Sequence, residues 1–290
     1  MRRAREETFW AWALILPTLA GLALFTYLPT LASFALGFCR WDLLSAPRWV
    51  GLENYRAILG DPLFWNAMGN TALFALASGA LEIALALGFA LLLNRAVAGR
   101  ALFRTAYFLP YVTPLVSVAL AWGWIYDPEF GLLNWLLALK PPIAWLYQPN
   151  TALAALIAIK IWKNIGYTLI LLLAGLQAIP ASAMESAMID GAGRWGRFWH
   201  VLLPLLSPTL FFVAIITLIN SVQTFDTAFL LTQGGPEHRT DLLAYWIFKN
   251  AFEFYKIGPA SAMACVMFCA LAALTLWQWR MRRRWVLYEN

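Results

Sequence analysis

Four ionisable side chains fall inside long apolar runs: Glu82, Lys160, Lys163 and Asp226. Within a bilayer such a group costs roughly 2.5–3.5 kcal/mol on insertion scales unless it faces a cavity or a partner. At 1.5 Å per residue, Lys160 lies roughly 12–15 Å below the outer end of its run. Lys163 lies a turn deeper, and Asp226 sits in the outer half of the next run. Opposite charges at comparable depth can pair, so one reading is an ion pair locking two helices. A second is the polar wall of a pathway, and a third is snorkelling of the lysines to the interface.

Neutral polar groups gather in the same two runs. Asn220, Gln223, Thr224 and Thr227 follow an i, i+3, i+4, i+7 pattern, which puts them on one helical face, with Ser221 and Asp226 flanking it. Such a face meets another helix through hydrogen bonds, typically worth under about 2 kcal/mol each, or it meets water. On the neighbouring run, Trp162, Asn164 and Tyr167 combine rings with an amide. A ring covers the apolar C–H face of a hydroxyl-rich ligand while an amide satisfies its hydroxyls. Trp and Tyr also serve as packing residues and interfacial anchors.

Composition fixes where these residues are held. Of 290 residues, 62% are hydrophobic and 12% charged, with mean hydropathy +0.66. A soluble domain carries about 45–50% apolar and about 25% charged residues, so this chain cannot clothe itself in a water-facing shell. That excludes a soluble enzyme, a disordered regulator and a nucleic-acid-binding domain. A spanning helix needs about 20 mainly apolar residues, and six runs qualify: 9–36, 69–93, 105–126, 152–176, 204–231 and 258–279. None alternates with period two, so the reading is an all-α membrane protein of six transmembrane helices, a single domain over 1–290. The apolar stretch after Phe9 is far longer than the core of a signal peptide and reads as a retained helix. Basic residues cluster at Arg2–Arg5, Arg95–Arg104, Arg194–Arg197 and Arg280–Arg284. Lys and Arg mark the cytoplasmic side, so both termini are placed there, and the net charge of +6 is mainly a topology signal. Cys39, Cys265 and Cys269 form no disulfide framework, and His200 and His238 no metal-ligand cluster.

Residues 177–203, QAIPASAMESAMIDGAGRWGRFWHVLL, form the longest cytoplasmic connection. Pro180 ends the fourth run; Ser182 with Glu185 has the spacing of a capping box for a short helix over about 183–189. Asp190-Gly191 marks its stop, where Gly supplies a positive φ. Trp195, Phe198 and Trp199 then make an apolar face beside Arg194 and Arg197. Such a helix pair either docks into a partner's groove or lies on anionic lipid.

This stretch resembles the EAA loop of permease subunits of binding-protein-dependent ABC importers, E-A-A-x-x-x-G, nine residues, then I-x-L-P. Here the pattern falls on Glu185, Ser186, Ala187, Gly191, Val201, Leu203 and Pro204, with Asp190 and Ala192 beside the turn. Ser186 stands for the first Ala and Val201 for Ile. VGLENYRAIL (50–59), IWKNIGYTLILLLAGLQAIP (161–180) and FDTAFLLTQGGP (225–236) extend the similarity to the branch carrying carbohydrates or glycerol-3-phosphate. The resemblance implies a type I importer transmembrane domain, a second permease (usually a distinct subunit, giving a heterodimer), two ATP-binding subunits and an external solute-binding protein. It makes residues 177–203 the coupling loop, with Glu185 facing an ATPase cleft and Gly191 turning between two short helices. ATP and its magnesium would lie on those partners and no cofactor on this chain, which has no G-x-x-x-x-G-K-[ST] sequence. An ion-coupled secondary transporter would use Glu82 and Asp226 as relays. An intramembrane enzyme would want a nucleophile–base pair or an H-E-x-x-H motif, and neither is present.

Overall fold

A computed structural model describes residues 2–95 and 99–285. In chain order the helices are α1 (Arg2–Leu22), continued through a widened turn at Ala23–Tyr27 into α2 (Leu28–Leu36); α3 (Glu53–Leu59); α4 (Pro62–Leu93); α5 (Arg100–Val112); α6 (Leu115–Ile125); α7 (Leu132–Leu136); α8 (Ala152–Ala178); and α9 (Ala181–Ile189). Next come α10 (Arg194–Arg197), continued through a second widened turn at Phe198–Leu202 into α11 (Leu203–Val222); α12 (Asp226–Leu231); α13 (Leu243–Phe248), extended through Lys249–Glu253; and α14 (Ile257–Trp285). A short antiparallel ladder pairs β1 (Cys39–Arg40) with β2 (Arg48–Trp49). Among the described residues, five stretches are long and apolar enough to cross a membrane, and α5 with α6 makes a sixth as a bent pair. The chain is thus the six-span α-helical membrane protein that its composition demands.

Three spans depart from the sequence reading. The second begins at Pro62 rather than near 69, because α4 projects beyond the hydrocarbon: 32 residues reach roughly 48 Å against a core of about 30 Å. The third is not one helix over 105–126. It breaks between α5 and α6, which meet at 99°. Pro114 bars the preceding residue from helical geometry, and Thr113 is extended at φ −70°, ψ 134°. The fifth starts at Arg194 rather than Pro204, so the second half of the cytoplasmic loop is continuous with the span. Pro204 does not interrupt it because the turn before it is widened: the Leu203 N–H bonds back five residues to the Phe198 carbonyl. The same device, Leu28 N–H to the Ala23 carbonyl, precedes Pro29 in the first span.

By packing, the chain forms two units, one holding the chain up to Asp61 with Ile247–Cys269, the other Pro62–Trp246 with the chain from Ala270 on. In the first unit, the Asn54 amide donates to the Gly37 and Cys39 carbonyls at 3.0 and 2.8 Å, and Ile257 N–H to Trp41 O at 3.1 Å. Arg40 pairs with Glu53. Asp42 accepts from Ser45 N, Ser45 Oγ and Leu44 N, and these bonds, the Ser45 backbone bond foremost, hold its carboxyl below the usual range. Burial pushes the Tyr55 phenol up to about 12, so it stays neutral.

In the second unit, α4, α8 and α11 pack around Ala86, Ala90, Leu169, Leu172, Leu173, Leu206 and Val213. Small residues set the spacing: Gly79 faces the Thr217 methyl, Gly175 faces Thr209, and Gly166 lies so close to Tyr107 that a Cβ would overlap its carbonyl. Such small-residue contacts replace the hydrophobic driving force that lipid removes. The exposed turns of α4 hold the segment before α13. Asn66 and Asn70 donate to the His238 carbonyl at 2.7 and 2.9 Å, and Thr71 Oγ1 accepts from Leu243 N at 2.7 Å. His238 Nδ1 meets the buried Asp241 carboxylate at 2.5 Å.

Candidate functional site

Two sites carry chemistry: a polar seam along α8 and the helical loop at its end. The seam begins at the break in the third span. A helix that ends inside hydrocarbon leaves carbonyls without partners, each costing several kcal/mol. Here they are satisfied from α8. Lys163 Nζ donates to the carbonyls of Pro110, Tyr111 and Thr113 at 3.2, 3.2 and 2.8 Å, and Thr113 Oγ1 donates to Leu109 O at 2.9 Å. One turn on, Tyr167 stacks on Tyr111 at 4.8 Å and 11°. Just before Lys163 on α8, Trp162 meets Trp122 edge-on at 5.5 Å.

The broken pair nonetheless runs the length of α8. With the Gln177 amide turned so that its oxygen accepts, Arg104 donates to it at 3.0 Å, joined there by Arg100, and the Tyr126 hydroxyl donates to the Ala155 carbonyl at 3.3 Å. Together α5 and α6 therefore cross as one interrupted span.

Glu82 is the most buried of the four intramembrane charges, 2% exposed. Thr168 Oγ1 donates to its Oε1 at 2.6 Å, while Oε2 has no hydrogen-bond partner. One turn earlier on α4, Ser78 Oγ lies 3.2 Å from Ser221 Oγ of α11. Lys160 lies within electrostatic reach of both Glu82 and Asp226 without touching either. Removing the Thr168 donor leaves the carboxyl with no bond at either oxygen. A buried group so orphaned costs about 1–3 kcal/mol, more if charged. Thr168→Val is accordingly expected to lower the melting temperature of the purified chain by several degrees, and Thr168→Ser to restore it, as read by thermal unfolding in detergent.

Several expected groupings are not formed. Neither Lys160 nor Lys163 makes an ion pair with Asp226 among the described residues; Lys163 turns to the carbonyls instead. Asp226 starts α12 and accepts from the Thr227 N–H at 2.8 Å. Asn220, Gln223, Thr224 and Thr227 do not share one helical face, because α11 ends at Val222 and α12 begins at Asp226. Asn220 and Gln223 are exposed, whereas Thr224 and Thr227 are buried, Thr224 bonding back to the Asn220 carbonyl at 3.0 Å. The Asn164 amide likewise bonds within its helix, to Lys160 O at 2.8 Å. Trp162 is exposed and Tyr167 half-buried. Sequence reasoning missed Tyr111 and Thr168 as contributors to the seam; the Thr113-Pro114 pair was the available signal for the break.

The loop reads more simply. Pro180 at φ −59°, ψ 132° turns the chain out of α8 and is itself the N-cap of α9, so the expected capping box on Ser182 is not formed; Ser182 lies inside the helix. Asp190 caps the other end, and Gly191 follows at φ +78°. Gly191 N–H bonds to Met188 O at 3.1 Å and Ala192 N–H to Ala187 O at 3.0 Å, the paired closure of a helix by a left-handed residue. Glu185, Ser186 and Asp190 are exposed, Ala187 is buried against the turn, and Leu203 and Pro204 continue from the widened turn into the span. Ile189 and Trp195 are 86% and 76% exposed. A rigid elbow with an uncovered apolar tip, joined without a flexible linker to a spanning helix, can carry displacement from a partner into the bilayer.

Known proteins share this construction. The chain is 36% identical over 296 residues to the probable ABC transporter permease protein YesP of Bacillus subtilis, covering 100% of this chain and 95% of that protein. It is 35% identical over 278 residues to the trehalose/maltose transport system permease protein MalF of Thermococcus litoralis, covering 93% and 92%. The fold superposes with TM-score 0.83 on a bacterial alginate ABC transporter solved with an alginate pentasaccharide-bound periplasmic protein, at 22% identity over 98% of this chain and 97% of that one. With the profile of the binding-protein-dependent transport system inner membrane component also matching residues 82–286, the chain belongs to that family of membrane permeases.

Proposed function

We propose that this chain is one permease domain of an ATP-driven importer for a neutral mono- or oligosaccharide, forming half of its pathway beside a second permease. The observation that carries the reading is the rigid elbow of 181–203, with its apolar tip bare and its far end continuous with the fifth span. Two ATP-binding subunits, holding ATP and magnesium, seat this elbow at Glu185, Ser186, Ala187 and Gly191. Both termini lie on their side of the membrane. An external binding protein docks on 37–68, 127–151 and 232–257 and releases solute to the seam lined by Lys160, Trp162 and Tyr167. Closure of the ATPases moves the elbow, and the fifth span tilts with it.

The similarity to a trehalose/maltose permease supports a carbohydrate. A polyol phosphate would need cations free to bind it, and with all three N–H groups of Lys163 engaged on backbone only Lys160 is left along α8 to meet one. The test is the ATPase rate of the assembled complex with a panel of ligand-loaded binding proteins. Stimulation by a sugar-loaded protein is expected. Stimulation only by a phosphate-ester-loaded one would shift the solute class, and uptake driven by an ion gradient without ATP would reject the importer.

A further inference from the structure

We propose that Lys163 keeps the third span broken, its ammonium holding the elbow between α5 and α6 as a fixed strut. Pro114 explains why the helix stops at Thr113, but proline alone does not explain a 99° bend. Pro29, Pro204 and Pro208 also sit in apolar helices of this chain, and those helices run on. What sets Pro114 apart is the group opposite. The carbonyls of Pro110, Tyr111 and Thr113 converge on Nζ at 3.2, 3.2 and 2.8 Å, which uses every donor a lysine has. A cation there also meets the negative end of the α5 dipole. The contact is reinforced from one face of α8, since residues at i, i+3 and i+4 are neighbours. Gly166 lets the Tyr107 carbonyl approach, and Tyr167 stacks on Tyr111.

Position gives the strut its use. Tyr111 and Val112 are 37% and 58% exposed in this chain, and Pro114 is exposed too. Irregular backbone at membrane depth survives only against protein or a water-filled cavity, not against lipid. The elbow therefore faces the pathway or the second permease, and only this clause rests on the importer reading. Lys163 is a positioning residue: it shapes that wall and leaves no N–H for solute.

The test measures the bend and uses neither solute nor ATP, so its failure is distinct from failure of the importer reading. Spin labels go on Leu102→Cys and Trp124→Cys, both exposed, in the full-length chain with Cys39, Cys265 and Cys269 changed to Ser, reconstituted in lipid. Straightening the pair lengthens the label separation by roughly 10 Å at 1.5 Å per residue. Lys163→Met is expected to show that longer, broadened separation by pulsed electron resonance, and Lys163→Arg to keep the short one. Pro114→Ala, with the ammonium retained, is expected to stay short as well, and it serves if the Met variant fails to insert. A short, narrow separation in Lys163→Met, equal lengthening in Met and Arg, or a long separation in Pro114→Ala each overturns the proposal.

Discussion

Gly191→Pro leaves the chain inserted in the membrane but abolishes ATP-driven uptake by the assembled importer. The residue sits at φ +78°, and proline is confined near −65°. Proline also removes the N–H that bonds to the Met188 carbonyl, one of the two bonds closing α9. Space is not the obstacle, since nothing lies within 4 Å of a Cβ added there. The substitution thus unhinges the loop without touching the packed spans. Gly191→Ala is milder, costing about 1–2 kcal/mol for a left-handed non-glycine residue, and retains partial coupling. The measurement is uptake together with ATPase stimulation by loaded binding protein, alongside the amount of chain in the membrane. Wild-type uptake in Gly191→Pro would reject the loop as the coupling element.

Gly166→Val has the second large effect, on stability rather than coupling. An added Cβ would overlap the Tyr107 carbonyl, and the Tyr107 carbonyl carbon and Phe108 Cα are within reach as well. Backbone cannot rotate aside as a flexible side chain can, so α5 must separate from α8. Overpacking a core typically costs 1–3 kcal/mol, and a backbone obstacle puts this case at about 3 or above. At about 2–4 °C per kcal/mol, the melting temperature should fall by roughly 6–12 °C. Gly69→Val, with open space around it, is the control and should change little. A Gly166→Val chain as stable as the control would show that α5 and α8 do not pack this closely.

The spans and the glycine turn were legible because each depends on neighbours in sequence. Residues 152–176 are a mainly apolar run with no Pro and fold as α8, and Asp190-Gly191 closes α9 through bonds no more than five residues long. The break in the third span was not legible. Seven prolines fall in the apolar runs, at Pro17, Pro29, Pro110, Pro114, Pro204, Pro208 and Pro259, and nothing beside Pro114 in the sequence announces the cation fifty residues downstream that meets the carbonyls there. The pairing of Lys163 with Asp226 failed for the same reason: charge and depth match, but the carbonyls freed by the bend compete for the ammonium. The polar face of the fifth span misled because periodicity assumes one continuous helix, and α11 stops at Val222. At Ser182 the capping-box spacing was present, but Pro180 had already turned the chain into the helix two residues sooner.

The widened turn at Phe198–Leu202 puts one surplus residue into an otherwise regular helix. Each residue advances an α-helix by about 100°. Side chains before and after the surplus residue are therefore out of phase by about that angle, and the tryptophans at 195 and 199 point in a direction that heptad counting from the span would never assign. Deleting any one residue between 198 and 202 would leave an unremarkable helix of nearly the same length. It would also swivel the entire inner tip by more than a quarter turn about its own axis, so the tolerance of this segment to length is far narrower than its tolerance to composition.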